Sequence, residues 1–176
     1  MFFDLLKERR SIRKYQDRVV EKEKVDIILK SALLSPSSRS RRPWEFVVVT
    51  DREVLKKLSM CREHSSAFLE GAPLGIVVIS DPSICDVWVE DCSIASIIIQ
   101  LSAHSLGLGS CWIQVRDRYH KEGVKAEDYI KNILNIPDKY AVECIIAIGY
   151  PDEKKEGYDL NKLPFEKIHF GSYNYS

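Results

Sequence analysis

The chain has 176 residues, 45% hydrophobic and 30% charged, and its 26 basic side chains balance 26 acidic ones. That length and composition suit one domain with an ordinary buried core, and a net charge of zero argues against a nucleic-acid partner, whose binders carry a basic excess. Five cysteines without a CxxC pair fit reduced thiols better than a disulfide framework or a zinc site.

The opening stretch "MFFDLLKERR" turns charged at once and lacks the positive start of a signal peptide. Phe2, Phe3, Leu5 and Leu6 predict a short helix that ends near the arginines of "ERRSIRKY". From Glu21, the apolar positions Val25, Ile28, Leu29, Ala32 and Leu33 recur at helical spacing. Ser35-Pro36 ends that helix, because the residue before proline avoids the helical region. Next comes "SPSSRSRRPW", then "EFVVVTD", a run of β-branched residues that predicts a strand covered on both faces.

Residues 52 to 59 and 63 to 70 read as short helices, and "GIVVISD" as a second strand. Residues 86 to 106 make a long helix, apolar on nearly every side in its second half, which stops at Gly107. Such a helix must be buried in a core or against another subunit. Its apolar run is broken by Gln100, Ser102 and His104 and falls short of a membrane span. "SCWIQV" is a third strand, 126 to 135 an amphipathic helix, and "AVECIIAIGY" a fourth strand. We expect a cytoplasmic protein of one domain over 1–176. Its last stretch, 151–176, keeps Tyr158, Leu160, Phe165, Ile168, Phe170, Tyr173 and Tyr175, and so reads as an arm packed on a partner chain.

Two clusters are rich in donors. Arg9, Arg10, Ser11 and Arg13 combine planar guanidinium forks with a compact hydroxyl, a set matched to phosphate, although a solvated basic patch has the same composition. Ser37, Ser38, Ser40, Arg39, Arg41 and Arg42 follow Pro36 and run straight into a strand, the kind of loop where ligands dock; a kinase substrate site or an unstructured loop also fits. Gly107 and Gly109 form no dinucleotide fingerprint, which needs GxGxxG after a strand, and Gly107 reads as a helix cap. Cys111 has no histidine near it in sequence and reads as a small packing residue. His64, His104, His120 and His169 show no metal spacing.

In order, "RRSIRKY", "SPSSRSRRPWEFVVV", "DCSIASIIIQLSAHSLGLGSCWIQV" and "IIAIGYPDE" resemble the FMN-dependent nitroreductase family, in its short bacterial branch, over about residues 2 to 170. The resemblance implies an α+β, three-layer fold: a central mixed or antiparallel sheet of about four to five strands, flanked by helices, in an intertwined homodimer with FMN at the interface. It matches Arg9, Arg10, Ser11 and Arg13 to the segment that binds the FMN phosphate and the polar edge of the flavin. Pro36, Ser37, Ser38, Ser40 and Arg42 match a loop that closes over the flavin from the other subunit. Trp112, Ile113 and Gln114 match the strand beside flavin N5, and Lys162 one of a C-terminal basic pair at the phosphate. The chain departs from the pattern at Ser40, Arg42 and Leu160, where the family often has asparagine, glutamine and a base; Lys154 or Lys155 can stand in for the missing base. The implied activity moves hydride from NADH or NADPH to flavin N5 and on to a small acceptor such as a nitroaromatic or quinone, in a ping-pong cycle. No protein side chain acts as an acid or base, and no metal is involved. A flavin-binding protein with little turnover is the alternative. His64 lies in a stretch that approaches the flavin in relatives.

Overall fold

The structure is a computed structural model that describes residues 1–121 and 123–173; Tyr175 of the arm lies outside them. Helix α1 (Phe2–Glu8) and helix α2 (Lys22–Leu33) precede a 3-10 turn at Ser38–Ser40 and strand β1 (Trp44–Val49). Helix α3 (Arg52–Ser59) starts at Asp51, whose carboxylate accepts the Val54 amide at 3.0 Å. A 3-10 turn (Ala67–Gly71) leads to β2 (Leu74–Ser80), α4 (Trp88–Ser105) and β3 (Gly109–Gln114). A small hairpin of β4 (Tyr119–Lys121) and β5 (Val124–Lys125) then precedes α5 (Ala126–Leu134) and β6 (Ala141–Gly149).

The central sheet has the order β1-β2-β6-β3 and is antiparallel throughout. Its middle strands β2 and β6 are almost fully buried, because helices cover both faces. On one face α3 and α5 contribute Leu55, Leu58 and Ile130 to a core with Val77, Ile145 and Ile113. On the other, α2 and α4 pack Ile28, Ala32, Ala95 and Ile99 on Ile76, Ile146 and Ile148. The result is three layers with β1 and β3 as the edge strands of the sheet.

Several expectations are corrected. Strand β1 is an edge strand with Glu45 and Val48 exposed, since only β2 flanks it and the helices do not reach over its outer side. The stretch 63 to 70 is not a helix: Ser65 takes φ 69°, which breaks helical continuity, and Ser66 Oγ donates to the Ser59 carbonyl at 2.7 Å, leaving only the 3-10 turn. The β4–β5 hairpin has too little apolar alternation to be read from sequence. Helix α4 buries one face on the sheet, while Ile94 and Ile97 stay exposed. The described part of the arm from 158 to 173 lies on the surface of this chain, as an arm that packs on a partner would, with Phe165 64% and Phe170 86% exposed.

Candidate functional site

The N-terminal cluster is built by main-chain docking onto β3. Gly109 allows it: a Cβ there would stand 2.7 Å from Ile12, so only glycine permits this approach. The Ile12 amide donates to the Ser110 carbonyl at 3.0 Å. Tyr15, its phenol pushed up by burial, donates to the Ile12 carbonyl at 2.5 Å and fixes the turn from inside. Glu153 Oε1 accepts the Arg13 amide at 2.5 Å and the Lys14 amide at 3.2 Å; these bonds hold its carboxyl below the ordinary range, helped by Lys155. Lys155 donates to the Ser11 carbonyl at 2.7 Å and stands 3.5 Å from Glu153. The Arg10 guanidinium donates to the Glu156 carbonyl and lies 4.9 Å over the Tyr158 ring, and that of Arg13 lies 5.7 Å over Phe68.

Arg9, Arg10 and Arg13 form no ion pair with a carboxylate among the described residues. Those guanidinia, Lys155 and the Ser11 hydroxyl, against the single carboxylate of Glu153, make a donor set with net positive charge. That is the chemistry a phosphate requires, so the residues fit the terminal group of FMN. Lys162 is elsewhere, exposed on the arm and 3.8 Å from Asp159; among the described residues no hydrogen bond or ion pair joins it to the cluster. Cys111 is buried beside Ser11, and burial pushes its thiol up although Arg13, Lys155 and Arg9 pull the other way. It packs and is not activated.

Next to the cluster a cavity of about 530 Å³ is lined by Arg13, Arg62, Ser65, Phe68, Trp112 and Gln114. Among the strands of the sheet, β3 pairs with β6 alone; Ile12 covers its outer edge at Ser110, and beyond that Trp112 and Gln114 line the cavity. Ile113 is 1% exposed and its side chain lies in the core, so only its backbone can contribute. Trp112 Nε1 donates to Gln114 Oε1 at 2.9 Å, and Gln114 Nε2 donates to the Arg116 carbonyl at 3.0 Å, which locks both side chains. A flat ring with a polar rim suits this edge: aromatic faces for the ring and strand backbone for its heteroatoms. A second concavity of about 780 Å³ lies between Glu63 and the hairpin residues Tyr119, His120 and Lys121, where the Glu63 amide reaches the Tyr119 carbonyl at 3.4 Å. His64 is exposed beside it, while His120 stacks on Tyr129 at 3.9 Å. Among the described residues no histidine, cysteine and carboxylate group has metal-binding geometry.

The second cluster is a strained loop. Arg39, Ser40 and Arg42 adopt φ of 50°, 55° and 48°, left-handed conformations that cost non-glycine residues about 1–3 kcal/mol each and persist only where the surroundings hold them. Ser37 Oγ accepts the Arg42 amide at 2.8 Å. Asp91, 3% exposed at the start of α4, accepts the Ser38 amide at 2.9 Å, and Arg41 stands 3.5 Å from Asp86. Pro36 starts the loop directly after the buried Ser35. The Arg39 and Arg42 side chains remain exposed.

The two clusters occupy opposite corners of the sheet. Trp44 pairs with Ser80 and Ser80 with Ala141, whereas Ser110 pairs with Ile148. From Ala141 to Ile148 at about 3.3 Å per residue, and across the sheet at about 4.8 Å per strand, the corners are roughly 27 Å apart. One mononucleotide cannot touch both within one chain. Glu153, Arg62, Phe68 and Asp91 went unread in the sequence analysis. A lone acid in the apolar run "DCSIASIII" was the available signal for Asp91, and an acid just after a strand exit for Glu153.

The profile of the nitroreductase family matches residues 6–61 and 58–150. A relative from Archaeoglobus fulgidus, with a provisional name of NADH dehydrogenase/NAD(P)H nitroreductase, is 40% identical over 166 residues, 92% of each chain. The solved FMN-dependent nitroreductase of Clostridium difficile R20291 superposes with a TM-score of 0.96 at 55% identity, covering 97% of this chain and 99% of that one. The NADPH:FMN oxidoreductase of Vibrio harveyi, at 22% identity and a TM-score of 0.83 over 99% of this chain and 79% of its own, shares the fold. The donor cluster, the open strand edge and these similarities agree: the chain belongs to the nitroreductase family.

Proposed function

We propose that the protein is an FMN-dependent oxidoreductase, active as a homodimer, that passes electrons from NADH or NADPH to a small acceptor such as a nitroaromatic or quinone. Arg9, Arg10, Ser11 and Arg13, with Lys155 and the arm residue Lys162, would hold the phosphate, and the Trp112–Gln114 edge the ring. Pro36, Ser37, Ser38, Ser40 and Arg42 of a second copy would close the site. Bound FMN would supply a two-electron carrier that takes hydride at N5 and gives it up to the acceptor in turn. The residues' part is to bind, orient and exclude water, and none is a catalytic acid or base.

The observation that carries this reading is the separation of the two donor clusters across the sheet. A two-fold copy would bring one chain's loop 36–42 to the other chain's Ser11 corner, which a monomer cannot do. The exposed apolar side chains Phe2, Phe3 and Leu6 on α1, Ile27 and Leu33 on α2, and Ile94 and Ile97 on α4 support it, since a subunit contact would take them out of water. The single domain and its arm across the partner belong to the same reading, as does a cytoplasmic setting without nucleic-acid or membrane partners. No helix of the described residues is long and apolar enough to cross a membrane.

The test is the visible spectrum of the purified protein, followed by anaerobic addition of NADH and NADPH. Yellow protein that bleaches supports the oxidoreductase, and parallel double-reciprocal lines at several acceptor concentrations support ping-pong turnover. Yellow protein that does not bleach supports a flavin-binding protein with little turnover. Colourless protein that refuses added FMN ends both.

A further inference from the structure

We propose that Arg62 makes this site selective for planar aromatic acceptors that carry an anionic group, a carboxylate foremost. The inference rests on the flavin reading above and adds the substrate class. Arg62 is only partly exposed and lines the cavity beside Phe68, Trp112 and Gln114. Arg13 at the phosphate end lines the same cavity, and Arg9 and Arg10 beside it are likewise without an ion pair among the described residues, whereas Arg116 has Asp117 and Glu143 and Lys155 has Glu153. Arg62 is the unpaired cation of the cavity that stands outside the phosphate cluster. Arg62 forms no ion pair among the described residues, and the nearby Glu63 forms none either and faces the adjoining concavity.

The turn that carries Arg62 is held by its backbone. Cys61 before it is fully buried, the Arg62 carbonyl accepts from Ser66 Oγ at 3.4 Å, and Ser65 at φ 69° closes the turn. A partly desolvated cation without a counterion favours an incoming anion over a neutral isostere, because the anion restores what desolvation removed. Its neighbour Gln114 lies four residues beyond Ser110, about 13 Å along the strand, so Arg62 serves the acceptor end of the site rather than the phosphate corner. Phe68 and Trp112 supply flat apolar walls. A second copy would add the exposed Arg39 and Arg42 to the same rim, and no acid of loop 36–42 opposes them.

The probes are benzoate and its neutral isostere benzamide, titrated calorimetrically into the protein as purified. The reactive pair is 4-nitrobenzoate and 4-nitrobenzamide, each reduced as ArNO₂ + NAD(P)H + H⁺ → ArNO + NAD(P)⁺ + H₂O. We expect about ten-fold tighter binding of benzoate than of benzamide, and a KM ratio in the same direction for the nitro pair. Arg62→Ala should erase both preferences and Arg62→Lys keep part of them, while FMN content, read from the visible spectrum, is unchanged. An unchanged benzoate preference in Arg62→Ala overturns the proposal. So does a loss of FMN from that variant, which would assign Arg62 to the cofactor. A changed NADPH-to-NADH ratio with the benzoate preference intact would assign it to the dinucleotide phosphate and overturn the acceptor class. Failure of NAD(P)H to bleach the flavin would instead sink the oxidoreductase reading, and the calorimetric comparison would still report on Arg62.

Discussion

Asp91 Oδ1 accepts the Ser38 amide at 2.9 Å, tying a buried carboxylate of α4 to the loop that carries the left-handed residues Arg39, Ser40 and Arg42. The helix that packs on the sheet thereby also sets the shape of the loop that the proposed dimer would lay over the other subunit's ligand. Asp91→Ala should release the strain held there and leave the Ser38 amide unpaired, at a cost of about 1–3 kcal/mol. FMN affinity should fall about ten-fold, while Asp91→Asn, which keeps an acceptor, should lose less. Flavin fluorescence titration with thermal unfolding on the same samples checks this. Equal FMN affinity in all of the proteins would show that the loop needs no such tie.

Charge at the phosphate corner is the second handle. Arg13→Ala should weaken FMN by about ten- to a hundred-fold, the worth of one charge-assisted hydrogen bond. Lys155→Ala should cost more than Lys162→Ala, because Lys155 holds the Ser11 carbonyl at 2.7 Å whereas Lys162 lies exposed on the arm beside Asp159. Equilibrium dialysis of FMN against the purified variants ranks them.

Ile97, 39% exposed on α4, probes assembly. Ile97→Asp places a charge in the proposed subunit contact, where it cannot be solvated. Light scattering should then give half the wild-type mass at equal concentration, and FMN content should drop with it, since in the proposed dimer each site would take the 36–42 loop from the partner. A monomer that keeps its full flavin content would refute the shared site.

Glu143 gives a pH dependence. Burial is the largest cause holding its carboxyl above the ordinary range, with Arg116 at 3.5 Å pulling the other way. The folded state therefore keeps this proton to a higher pH than the unfolded chain does. Between the two pKa values the folded state binds more protons, and stability falls as pH rises through that window. Above it the charge stays buried with Oε2 unpartnered by any hydrogen bond. Glu143→Gln removes the titration, so its urea midpoint relative to wild type should rise from pH 4.5 to 7.5. A wild-type advantage that grows over that range would mean that the Arg116 pair outweighs desolvation.

Much of the architecture was legible in the chain. The stripe Val25–Leu33, the proline after Ser35 and the β-branched runs in β1, β2 and β6 report element type, because periodicity and backbone sterics act within a few residues. The donor residues around Ser11 and Ser38 were likewise visible in the chain, because residue type is carried locally wherever the fold puts it. The edge position of β1, the half-exposed second face of α4, the 27 Å-scale separation of the two corners and the placement of Asp91, Glu153 and Arg62 were not legible. Each depends on which strand pairs with which, and in what register, over separations as long as that from Arg13 to Glu153. Local sequence carries the identity of such contacts only once the sheet has closed around them.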